Sequence, residues 1–207
     1  TASERREKFS ETGFKRWRAT TKEEVPDFVE KKMMSMYNFG RTRHLARCAC
    51  FFSHTKLWEY IVEKKLDDVL ILEDDAVLMR TPPSEYPRDS IVYVGGFIHN
   101  RMMMNNAKCK VEHKQGINEV PQEYRVLGTL AYIIPTWRVA LTLLNKIYAQ
   151  KRYRAIDIIL GNIGVKQYYN YPASFREEGS PSQISSREKI MTDKYEFISK
   201  KKYIQNN

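Results

Sequence analysis

The residues best suited to chemistry are three consecutive acids, Glu73, Asp74 and Asp75, which follow an apolar run in the segment LILEDDA (70–76). Carboxylates crowded in this way raise one another's proton affinity unless a cation lies between them. Oxygen donors of this hardness suit magnesium or manganese, so the triplet predicts a divalent metal site at the end of a strand. A turn carrying three solvated acids would have the same sequence. The charge balance favours the metal: 35 Lys and Arg against 25 Asp and Glu give +10. An ion held by carboxylates inside a basic cleft is what a diphosphate requires.

Other residues carry weaker signals. Asp157 interrupts the apolar run AIDIIL (155–160); a charge there implies a role, of which a helix N-cap is a frequent one. His54, in FFSH, falls on a predicted helix, where a lone histidine ordinarily packs and hydrogen-bonds. His99 and His113 lie in a segment with Met102–Met104 that reads as a flexible apolar patch or simple loop packing. Gly95–Gly96 and Gly128–Thr129 mark close backbone approach at strand ends, either lining a ligand pocket or making ordinary turns. Arg5 and Arg6 stand in SERREKF (3–9), a short basic helix with Ser3 as its cap. Cys48, Cys50 and Cys109 are odd in number and form no C-x-x-C pair, which points away from a disulfide framework or a structural zinc site and toward reduced thiols in a cytosol-like compartment.

These groups need elements to position them. Leu45, Cys48, Ala49, Phe52, Trp58, Ile61 and Val62 recur at helical spacing and predict a long helix over 43–64. Short apolar runs at 69–72, 91–94 and 129–134 predict strands buried on both faces, and KRWRAT (15–20) predicts a further short strand. Thr136 is placed to cap a helix whose apolar face holds Val139, Ala140, Leu143, Leu144 and Ile147. Alternating strands and helices imply an α/β fold with a mostly parallel central sheet and helices on both faces. Residues 97–127 read as one long loop, which in a compact domain is a lid, a binding loop or a disordered segment. From about 173 the chain turns Ser-, Glu- and Lys-rich, ending with KKK at 200–202, and reads as a solvated tail. The expected division is a single domain over 1–172 and a polar basic segment over 173–207, packed on that domain or leading to another.

Several motifs together resemble glycosyltransferase family 25, the group of lipopolysaccharide and collagen galactosyltransferases. They are SERREKF (3–9), CFFSHTKLW (50–58), LILEDDA (70–76), YVGG (93–96), GTLAYIIP (128–135) and AIDIILGN (155–162), in the family's order along nearly the whole chain. Each is weak alone; the set in order is specific. The family's opening apolar strand, ending near Asn-Leu, precedes the point at which this sequence starts.

The resemblance implies a GT-A type single domain and transfer of a hexose or deoxyhexose from a nucleotide-diphosphate sugar, a UDP-sugar by expectation, to a glycan or glycoconjugate hydroxyl, with inversion. It implies that the acidic triplet takes the place of a D-x-D motif. Asp75 and Asp74 would hold manganese or magnesium, and Glu73 would face the nucleotide or share the ion. Arg5, Arg6, His54, Gly95 and Gly128 would lie on the donor side. Asp157 matches the family's late aspartate and would act as the base that takes the acceptor's proton, or would hold donor hydroxyls.

Two other function classes share some of these features. A nucleic-acid-binding module fits +10 and thirteen tyrosines, yet no RRM, KH or zinc-finger pattern is present and the basic residues form no stripe. A metal-dependent phosphohydrolase could use the same acids, but two-metal sites draw on more clustered carboxylates than Asp157 adds. No apolar run reaches the roughly 20 residues of a membrane-spanning helix, and residues 1–8 are polar. The expectation is a cytoplasmic enzyme with a nucleotide sugar and a glycan as partners and no specific nucleic acid.

Overall fold

A computed structural model describes residues 14–34, 40–100 and 114–177, with the Asn100 side chain excepted. Arg5, Arg6, Met102–Met104, Cys109, His113, the predicted helix at 3–10 and the KKK run lie outside the described residues.

Nine strands and four helices form the described chain: α1 (Asp27–Lys32), α2 (Arg41–Lys64), β1 (Val69–Leu72), β2 (Ala76–Leu78), β3 (Ile91–Tyr93), β4 (Phe97–Asn100), β5 (Gly116–Glu119), β6 (Tyr124–Leu127), β7 (Ala131–Ile134), α3 (Trp137–Tyr148), α4 (Ile156–Leu160), β8 (Gln167–Tyr171) and β9 (Phe175–Glu177). One tight helical turn at Lys22–Glu24 precedes them. The central sheet has five strands in the order β1-β7-β3-β8-β5. Only β3 and β8 run parallel, with Ile91 opposite Gln167. The pairs β1–β7, β7–β3 and β8–β5 are antiparallel. The expected mostly parallel sheet is therefore corrected to a mixed one. A continuous apolar run reports burial on two faces, not strand direction, which the connections set.

Successive residues of these strands divide between two apolar clusters, as the two-residue period of a strand requires. Ile71, Ile91, Tyr93, Tyr132 and Ile134 pack with Trp58 and Ile61 of α2, Leu143 and Ile147 of α3 and Ile159 of α4. Val92, Val94, Ala131 and Ile133 pack on the other face with Phe175, Ala76 and Tyr86. Among the described residues no helix contributes to that second cluster, so the expectation of helices on both faces is corrected too. The second face is closed by the small β2–β9 sheet, in which Ala76 faces Glu177 and Leu78 faces Phe175.

Several local readings change in the same way. β1 is an edge strand in which only Ile71 is buried; Val69 packs on the helix side and Leu70 and Leu72 on the other face, all three half-buried, so its burial on both faces is partial. Residues 15–20 form no strand; Trp17 instead rests on the Tyr60 ring at 5.2 Å. The supposed loop 97–127 contains β4, β5 and β6, with β4 and β6 paired from Phe97↔Leu127 to Asn100↔Tyr124. Residues 173–177 are not a solvated tail, because Ser174 and Phe175 are buried and β9 is a paired strand.

The helices follow their sequence closely. In α2, Phe51, His54, Thr55, Trp58 and Ile61 are buried at spacings of three and four, which is the stripe that faces the sheet. The helix stops where Lys65 turns left-handed at φ 50°, its N–H returning to Ile61 and Val62 carbonyls. In α3, Val139, Ala140, Leu143, Leu144 and Ile147 are all buried; Leu143 and Ile147 each contribute roughly 1.5–3 kcal/mol by leaving water. Thr136 does precede α3, but its side chain makes no cap bond to the helix. Asp67 does that work from the turn before β1, its Oδ1 accepting the Trp137 N–H at 3.1 Å.

Candidate functional site

The sheet topology brings the predicted residues to one end. β1 and β3 finish there, and β7, antiparallel to both, begins there. Glu73 N–H bonds the Leu130 carbonyl at 2.9 Å, and Gly95 N–H bonds the Ala131 carbonyl at 3.0 Å. The acids after β1 therefore lie beside the Gly128–Thr129 turn that leads into β7.

The three acids occupy three different environments. Glu73 continues the parity of Ile71 and faces α2. It accepts the Thr129 hydroxyl on Oε1, and the same oxygen is 3.7 Å from His54 Nε2. Burial pushes the Glu73 carboxyl up, but the His54 imidazole and the Thr129 hydroxyl outweigh it and hold the carboxyl below the usual glutamate value. Asp74 is exposed. Asp75 is partly buried, its Oδ1 sealed from solvent without a hydrogen-bond partner. Burial, then the charges of Glu73, Glu177 and Asp74, raise its pKa to about 7. Glu177 reaches this position because β9 pairs with β2 immediately after the triplet.

His54 is held from behind. Its Nδ1 is 2.7 Å from Tyr132 Oη, which also accepts the Trp58 indole N–H at 3.1 Å. All three side chains are buried. The tautomer sets the roles: when the Tyr132 hydroxyl donates to Nδ1, Nε2 carries the hydrogen and points at Glu73; when Nδ1 carries it, Nδ1–H donates to Tyr132 Oη and Nε2 keeps a free lone pair. Cys50, one helical turn before His54, adds a thiol: the Cys50, His54 and Glu73 ligand atoms lie within 4.8 Å of one another. Cys48 and Cys50 are both free thiols. Burial, then Glu73 and Asp157, push the Cys50 thiol well above its ordinary value.

Asp157 sits in the first turn of α4, after Ala155 as N-cap, so it is not the cap itself. Its Oδ1 accepts the Ile158 N–H at 2.7 Å and its Oδ2 the Gly128 N–H at 3.2 Å. Burial raises its pKa, and the Glu73 charge adds to this, against the two backbone N–H bonds and the Arg125 charge. Arg125 on β6 has a buried Nε without a partner and packs its stem where a Cβ on Gly161 would fall, 2.8 Å from the Arg125 Cβ.

The glycines have definite roles. A Cβ on Gly95 would lie 3.0 Å from the Ala131 Cβ. Gly128 has φ +79° and gives its N–H to Asp157. Gly96, at φ +86°, would put a Cβ 2.8 Å from the Gly128 and Leu127 carbonyl oxygens. His99 lies on β4.

The structure thus gathers Glu73, Asp74, Asp75, His54, Gly95, Gly128 and Asp157 about one end of the sheet. Sequence reasoning does not single out Cys50, Tyr132, Arg125 or Glu177, which the structure brings beside these residues. The i, i+4 spacing of Cys50 and His54 could have revealed the first. Glu177 had no local signal, since only strand pairing brings it near.

Among the described residues no helix is long and apolar enough to cross a membrane. A search of curated proteins gave no match. The family model described as Glycosyltransferase family 25 (LPS biosynthesis protein) matches residues 2–160, a span that contains α2, the acidic triplet, β3, β7 and Asp157. The chain therefore belongs to glycosyltransferase family 25 and is a glycosyltransferase.

Proposed function

We propose that the enzyme moves a hexose or deoxyhexose from a UDP-sugar to a glycan or glycoconjugate hydroxyl, with inversion, using manganese or magnesium held by Asp75 and Asp74. The observation that carries the metal is the buried, unpartnered Oδ1 of Asp75 amid the charges of Glu73, Glu177 and Asp74. A donor set made only of carboxylate oxygens fits these two ions. When bound, such an ion supplies positive charge that stabilises the departing diphosphate.

The chain's own residues do the rest. Glu73, fixed by Thr129 and His54, stays ionised and orients the donor beside the triplet. Gly95 and Gly128 allow the backbone to come close to the donor, and His54 stands on the same side. Arg5 and Arg6 are assigned to the diphosphate on the family resemblance. Asp157 takes the acceptor hydroxyl's proton on a carboxylate whose proton affinity burial has raised. Its two backbone N–H bonds fix the direction in which that carboxylate points. The free thiols Cys48 and Cys50 fit a reducing, cytoplasmic setting.

A screen of UDP-hexoses and UDP-deoxyhexoses against glycan acceptors, following UDP release, tests this reading. Turnover that needs manganese or magnesium and stops with a chelator is expected. Equal turnover in chelator would overturn the metal assignment, and turnover only with another nucleotide's sugars would overturn UDP.

A further inference from the structure

We propose that Cys50, His54 and Glu73 form a second cation site, for a thiolate-accepting divalent ion of the zinc type, separate from the carboxylate site at Asp75. The three come from two elements, Cys50 and His54 one turn apart on α2 and Glu73 just beyond β1. Their sulfur, nitrogen and oxygen ligand atoms lie within 4.8 Å of one another. Zinc bonds of about 2.0–2.3 Å at tetrahedral angles place donors roughly 3.3–3.8 Å apart. His54 Nε2 and Glu73 Oε1 stand 3.7 Å apart, a few tenths of an ångström beyond the roughly 3.3–3.5 Å that a nitrogen and an oxygen take on a tetrahedral zinc.

Two further features favour an ion here. Zinc-binding histidines hold their second ring nitrogen in a hydrogen bond that fixes the ring; His54 Nδ1 is so held by Tyr132 Oη at 2.7 Å, and Trp58 fixes that hydroxyl in turn. The donor set also contains a thiol, which selects against magnesium and manganese and for zinc. Cys50 is a free thiol and only partly buried as a residue. With three protein ligands the fourth position is open. Such an ion would clamp α2 to the strand end that carries the acids.

Cobalt(II) titration of the full chain tests the site, because a thiolate ligand gives a charge-transfer band and a tetrahedral site gives intense visible bands. The wild type should bind one equivalent with both features, and zinc should displace it. Cys50→Ser should lose the charge-transfer band, while Cys48→Ser, Cys109→Ser and Asp75→Asn keep it. Tyr132→Phe, which spares every ligand, should weaken cobalt on the order of 10-fold. His54→Gln tests the second ligand independently and should lose the tetrahedral bands. Zinc should raise the melting temperature of the wild type and not of Cys50→Ser. Absence of the charge-transfer band in the wild type, its persistence in Cys50→Ser, or its loss in Asp75→Asn would each overturn the proposal.

Discussion

His54 Nε2 stands 3.7 Å from Glu73 Oε1, which couples the buried stripe of the long helix to the first acid of the triplet. The histidine is aimed by Tyr132, and Tyr132 by Trp58. A residue that reads as helix packing is thus also a neighbour of the acidic site, and Glu73 differs from Asp75 in environment although only one residue separates them.

Tyr132→Phe should show how much that chain is worth. It strips Trp58 Nε1 and His54 Nδ1 of their buried partner, and a buried polar group left unsatisfied costs about 1–3 kcal/mol. Urea denaturation should give a loss of that size. A change below about 0.5 kcal/mol would mean that the network is not a fixed structural unit.

Asp75 should make stability depend on pH. Its folded pKa, about 7, lies above the ordinary 3.8 because of burial and neighbouring acids. The group's contribution is then fully present below about pH 4 and is lost as pH rises through 7. In metal-free protein, Asp75→Asn should match the wild type in acid and exceed it above neutrality, by about 2 kcal/mol after discounting for solvent screening. Melting curves across pH check this, and a wild type more stable than the variant at high pH would contradict it.

Asp157→Asn should leave nucleotide binding intact and lower kcat by roughly 10²–10⁴-fold, the usual contribution of a general base. Single-turnover kinetics beside UDP affinity separate the two. Equal loss of both would assign Asp157 to holding α4 and the Gly128 turn, which its hydrogen bonds also do.

Gly96→Ala should damage the site through the backbone. The position needs φ +86°, and the new Cβ would meet two carbonyl oxygens at 2.8 Å. A loss of about 1–3 kcal/mol is expected. Thermal denaturation reads it, and an unchanged melting temperature would show that the β3–β4 and β6–β7 turns can separate.

Asp67→Ala should cost about 1 kcal/mol by uncapping α3, whereas Thr136→Val should cost less, since Thr136 makes no cap bond. Chemical denaturation of the two variants ranks them; the reverse order would return the cap to Thr136.

Much of this was legible before the structure. The spacing of Trp58 and Ile61, and of Leu143 and Ile147, marks helices because a buried stripe repeats every three or four residues. LILEDDA marks a strand end because charge follows apolarity abruptly. The direction of β1 relative to β7, the β2–β9 pair and the strands β4 to β6 were not legible. They depend on pairing between distant segments, and FIHN, GINE and YRVL are too short and too polar to show alternation. Glu177 was missed for that reason, while the cap on α3 was misassigned because Asp67 reaches it across the fold.

The central claim is that Asp75 supports metal-dependent binding of a nucleotide diphosphate. Calorimetric titration of UDP, with and without manganese, on the wild type and Asp75→Ala tests it most directly. The account predicts UDP binding that requires manganese and disappears in Asp75→Ala. UDP binding that is unchanged by manganese, or retained in full by Asp75→Ala, would contradict it.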